Sequence, residues 1–169
     1  FEPGSTFKIV AATAALNTGK VSLNDEFNCE VGKFEFDGWT ISDHEKFGVL
    51  TFPQIIANSS NVGVIKIAQI IGKEPLYRLS RNYGFGTPTG ISFPGESQGI
   101  LRQKKDWSKM SLASVSIGYE VGVTALQIAS AYSAIANGGV LLKPQIVRQI
   151  ISNKGELLYK SKPEPIRKV

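Results

Sequence analysis

Phe1-Glu2-Pro3-Gly4-Ser5-Thr6-Phe7-Lys8-Ile9-Val10-Ala11-Ala12-Thr13-Ala14-Ala15-Leu16-Asn17-Thr18-Gly19-Lys20 carries most of what the sequence says about its architecture. Pro3-Gly4 breaks the backbone, residues 5–16 are helix-compatible, and Asn17 to Lys20 is a glycine stop beside a basic residue. Only Lys8 and Thr13 are polar in the middle of this helix, so it is apolar almost all round and is expected inside a core. Burial disfavours the ammonium form of a lysine and frees its amine to act as a base. Ser5 lies three residues before Lys8 and shares its helix face, which is the geometry of an activated serine. The competing reading makes Ser5 a helix cap and turns Lys8 out to water. Spacing alone favours the cap, because capping serines far outnumber catalytic ones.

Outward from this stretch, the 169 residues are 42% hydrophobic and 20% charged, the balance of an ordinary globular domain or a large piece of one. With Cys29 as the sole cysteine and His44 as the sole histidine, internal disulfides, thiolate metal clusters and histidine-rich metal sites are excluded. The chain opens at Phe1 and its one methionine is Met110, so it is expected to be part of something longer. Phe47 to Ile65 and Val121 to Leu142 carry no charge, but polar residues recur through both, so both are expected as buried segments rather than membrane spans. The net charge of +5 sits entirely in Lys143 to Val169, a solvated surface with anionic-polymer binding as the alternative. Tyr159 is its only aromatic residue, too little for a nucleic-acid site.

Short strands are expected within Phe27 to Phe36, turning at Gly32, and at Ile91-Ser92-Phe93. A second helical region starts near Thr51-Phe52-Pro53, breaks at Ser59-Ser60-Asn61, and resumes from Val62 to Ile71. Further helices are expected over Lys73 to Tyr83 and over Thr124 to Ala136, the second stopped by Gly138-Gly139. Gln145 to Ser152 and Leu157 to Tyr159 flank Asn153-Lys154-Gly155 as a β-hairpin, and Lys160 to Pro165 resembles a linker. The polar break at 59–61 also reads as a simple helix junction. Beside Ser5 and Lys8 it gains a second meaning, since a serine can relay a proton and an asparagine can hold a peptide amide.

Ser5-x-x-Lys8 followed by Ser59-x-Asn61 resembles the first two motifs of the penicillin-recognising serine enzymes. The wider match runs in order through Ile56 to Val62, Tyr83 to Ile91, Phe93 to Glu96, Ser116 to Tyr119, Thr124 to Gln127 and Ala136 to Gly139. These landmarks are similar to those of the transpeptidase domain of class B, monofunctional penicillin-binding proteins, with Glu-Pro-Gly-Ser-Thr-Phe-Lys leaning toward septal, cell-division members. The resemblance implies an α+β fold, with a helical subdomain and part of an antiparallel sheet, and residues 1–169 as a single partial transpeptidase domain. It implies a D,D-transpeptidase that cross-links peptidoglycan stem peptides and is acylated by β-lactams, with no metal and no cofactor. On it, Ser5 is the nucleophile, Lys8 its base and Ser59 the proton relay, while Asn61 and Tyr119 bind substrate. It also implies an extracytoplasmic site, a parent chain anchored in the inner membrane by an N-terminal helix, and division or elongation proteins as partners.

The departures set limits. No Lys-Thr-Gly or Lys-Ser-Gly occurs among the 169 residues, and Asn17-Thr18-Gly19 is already a helix stop. In the family that third motif lies downstream and supplies part of the oxyanion hole, so the piece alone is expected to show little or no activity. A serine β-lactamase or β-lactam sensor domain is the nearest alternative, although those closest in the first motif usually carry Ser-x-Val second. Class A β-lactamases also need an acidic residue that activates water, and neither Glu96 nor Glu120 has a fitting context. A non-catalytic remnant of the fold is the other alternative. It would leave a lysine in an apolar helix without purpose.

Overall fold

A computed structural model describes all 169 residues. A 3-10 turn, Gly4–Phe7, leads into α1 (Lys8–Thr18), which ends as expected at Gly19 with a left-handed backbone, φ 65°. Short strands β1 (Glu26–Asn28), β2 (Lys33–Phe36), β3 (Trp39–Ser42) and β4 (Val49–Thr51) follow. Next come α2 (Phe52–Ala57), α3 (Asn61–Ile71) and α4 (Lys73–Asn82). The latter part holds β5 (Ile100–Leu101), α5 (Lys109–Ser116), β6 (Val121–Gly122) and α6 (Ala125–Ala136), then β7 (Val140–Leu142), β8 (Gln149–Ile151), β9 (Leu157–Lys160) and β10 (Pro165–Lys168).

The core is helical. Val10, Ala11, Ala14 and Ala15 of α1 are buried together with Val62, Ile65 and Ile67 of α3, Leu76 and Leu79 of α4, and Val115 of α5. Small alanines on α1 let α3 and α4 approach it closely, and Phe7 fills the end of the interface against Phe85, ring centroids 4.9 Å apart. Thr13, the other polar residue of α1, is satisfied by the Ile9 carbonyl and the Tyr83 hydroxyl. The break between α2 and α3 forms where expected, and α3 folds tightly back on α2: a Cβ added at Gly63 would lie 2.7–2.8 Å from the Ile55 side chain. No helix is long and apolar enough to cross a membrane.

The strands form five antiparallel pairs, β1–β4, β2–β3, β5–β6, β7–β10 and β8–β9, so the fold is mixed helix and strand as expected. Three expectations change. Ile91-Ser92-Phe93 is not a strand; Glu96 instead accepts the Thr89 and Gly90 N–H groups and shapes the stretch as a loop. The hairpin's first strand shortens to β8, and the linker-like tail becomes β10, which pairs with β7. Gln145 Nε2 holds the approach to β10 by donating to Lys162 O and Glu164 Oε1, and Pro165 stands at the first strand position, where its missing N–H costs least.

Candidate active site

Ser5 sits exposed in the 3-10 turn, and its hydroxyl makes no hydrogen bond within the protein, so it is not a helix cap. Lys8 begins α1 one turn later and is 2% exposed. Its amine does not bond Ser5. Nζ donates instead to the Ser59 carbonyl oxygen and, at 2.9 Å, to Ser59 Oγ, which closes a contact across 51 residues. Burial pushes the Lys8 pKa down from 10.5 to about 8, partly offset by the negative charge of Asp43. At neutral pH the ammonium form still predominates, but about a tenth of the amine is free at pH 7, far more than for an ordinary lysine, three residues along the chain from the unengaged Ser5 hydroxyl.

The turn bearing Ser59 is locally constrained. Ser59 adopts a left-handed backbone, φ 55°, between the end of α2 and the start of α3, an arrangement that needs support from its surroundings. Ser60 supplies the helix cap instead: its buried Oγ accepts the Gly63 N–H at 2.9 Å. Asn61 opens α3 and donates from Nδ2 to Ser42 O at 2.9 Å, leaving Oδ1 free to accept. The carboxylate that holds this turn is Asp43, in a charged stretch whose sequence carries no signal for the role. It accepts the Asn61 and Val62 N–H groups and the Ser60 hydroxyl, but its partners lie 17–19 residues further along the chain and no local pattern marks it.

The segment after α5 fixes the other side. Gly4 N donates to Gly118 O and Val123 N to Phe1 O, so residues 118–123 hold the backbone leading into Ser5. Gly118 packs directly on Gly4 with φ 84°, a position where any Cβ would collide with the Gly4 backbone. Tyr119, next in sequence, is 52% exposed and its hydroxyl makes no intramolecular bond. It is thus carried next to the Ser5 turn. His44 is exposed and packs edge-on against Phe47, apart from these contacts.

The penicillin binding protein transpeptidase domain family matches the chain over residues 1–169. The chain belongs to that family. It is 38% identical over 154 residues to the probable peptidoglycan D,D-transpeptidase PbpC of Pseudomonas aeruginosa, a match that covers 91% of this chain and 27% of that protein. The solved transpeptidase domain of Burkholderia pseudomallei penicillin-binding protein 3 superposes with a TM-score of 0.84 at 34% identity, covering 93% of this chain and 47% of that one. Penicillin-binding protein 3 of Mycobacterium tuberculosis, solved in complex with aztreonam, gives a TM-score of 0.85 at 35% identity, covering 99% of this chain and 38% of that one. The chain therefore spans about a quarter of the length of the curated relative and about half of the solved Burkholderia domain.

Proposed function

We propose that these residues are part of a single larger domain acting as a peptidoglycan D,D-transpeptidase, with Ser5 as nucleophile. The observation that carries this is an exposed, unengaged Ser5 hydroxyl one helical turn from a buried lysine amine, itself bonded to a second serine. Lys8, as the free amine, takes the Ser5 proton while Oγ attacks the carbonyl carbon of the penultimate D-Ala. The amide C–N bond breaks, and Ser59 passes a proton from Lys8 to the departing D-Ala amine. The acyl-enzyme ester is then attacked by an amine of a neighbouring stem, which restores the Ser5 hydroxyl. Asn61 Oδ1 accepts a substrate amide N–H, and Tyr119 lines the cleft.

β-Lactams follow the first half of this path, but their opened ring stays attached and holds the acyl-enzyme. The septal type is favoured by the Glu-Pro-Gly-Ser-Thr-Phe-Lys form of the first motif. The full-length protein is placed on the extracytoplasmic face of the inner membrane, anchored by an N-terminal helix and working with division or elongation proteins. The test is intact-mass analysis of the full-length protein after penicillin treatment, beside Ser5→Ala. A one-drug adduct on Ser5 that persists for many minutes and vanishes in the variant supports the reading. Rapid loss of the adduct indicates a hydrolase, and no adduct on folded protein refutes acylation at Ser5.

A further inference from the structure

We propose that Asp43 is a positioning residue of this site, clamping the Ser59-Ser60-Asn61 turn onto α3 and supplying the negative charge that faces Lys8. The inference rests on the acyl-transfer reading above and adds a residue to it.

A helix begins with N–H groups that have no partner inside it. In α3 the Asn61 and Val62 N–H groups both reach Asp43 Oδ1, the second at 3.0 Å, and the Gly63 N–H reaches Ser60 Oγ. Asp43 Oδ2 accepts the Ser60 hydroxyl at 2.7 Å, so the carboxylate and the cap form one connected unit. Asp43 is itself fixed, since its N–H donates to Gly32 O, and neighbouring Ser42 O holds the Asn61 amide. Two consecutive residues from β3 and the turn after it therefore anchor Ser60 and Asn61. Ser59 is left as the hydroxyl directed at Lys8, in a left-handed backbone that this anchoring sustains.

The carboxylate also acts through charge. It sits at the positive end of α3, where an anion is favoured, and opposes the effect of burial on Lys8. Of the other charged groups near the turn, Glu30 pairs with Lys66 at 2.6 Å, and these two and Asp43 all act on Cys29, whose Sγ lies 3.5 Å from Ser60 Oγ. Asp43 is the charged group among them that acts on Lys8.

The test is the pH profile of acylation by a penicillin, measured from pH 5 to pH 10 on the full-length protein. Asp43→Asn keeps the size and one acceptor but removes the charge. The acid limb, where Lys8 becomes protonated, should move to lower pH by roughly one unit. Asp43→Glu keeps the charge and should hold the limb in place. Ser60→Ala loosens the cap with the charge retained, and should slow acylation without moving the limb. If Asp43→Asn does not fold, Asp43→Ser serves as the uncharged variant that still offers a cap acceptor. An unmoved limb in a folded, uncharged variant overturns the inference. Absence of any wild-type acylation overturns the functional reading instead.

Discussion

Lys8→Met should make the chain more stable at neutral pH, and the gain should disappear as the pH rises. The amine of Lys8 is held near pKa 8 in the folded chain, against an ordinary value of 10.5. Below pH 8 both folded and unfolded chains carry the ammonium ion, and the folded chain bears the full cost of burying it. The gap between the two values corresponds to about 3 kcal/mol of lost stability. Between about pH 8 and 10.5 the folded chain releases its proton before the unfolded chain does, so this cost fades with rising pH. Methionine has a similar volume and no charge, but it gives up two hydrogen bonds to Ser59, each worth about 1 kcal/mol net. The variant should therefore be about 1–2 kcal/mol more stable than wild type at pH 7.

Urea unfolding of both chains at pH 7 and pH 10 isolates the effect, because every other titrating group is common to the two. The variant's advantage should shrink by roughly 2 kcal/mol between the two pH values. A constant difference would refute the argument that the Lys8 amine is desolvated, and with it the physical basis for calling Lys8 a base. Acylation of Ser5 should be lost in the variant at either pH.

Ser59→Ala keeps the carbonyl that Lys8 bonds but removes the hydroxyl, so penicillin acylation should slow by roughly 100-fold or more while stability changes by less than about 1 kcal/mol. Stopped-flow acylation and thermal melting separate the two effects. Gly118→Ala should cost roughly 2–4 kcal/mol, since it strains a φ of 84° and drives a methyl into the Gly4 backbone. Gly19→Ala, at φ 65° with open space around it, should cost only about 1 kcal/mol; equal melting shifts for the two would contradict the packing of residue 118 on the Ser5 turn.

The parts of this site that were legible in the sequence are those whose cause is local. An apolar stretch around Lys8 announced its burial, Thr124 as a cap and Gly138-Gly139 as a stop announced α6, and a polar break in two apolar halves announced the turn at Ser59. Asp43 was not legible, because its role exists only once the β2–β3 hairpin docks against α3. α5 escaped for another reason: Lys-Met-Ser-Leu-Ala-Ser-Val-Ser holds three serines, poor interior helix formers, and is stabilised by the Ser108 cap and its bond to the Ser111 N–H. The strands β5, β6 and β7 are two or three residues long, too short for alternation to show. β10 lies in a proline-containing stretch whose partner sits some 25 residues earlier.

Release of D-alanine from a stem pentapeptide by the full-length protein, with an acceptor amine present, tests the central claim most directly. The account predicts one D-alanine released for each cross-link formed, an acyl intermediate mapped to Ser5, and neither product from Ser5→Ala. D-alanine release that persists unchanged in Ser5→Ala would contradict it.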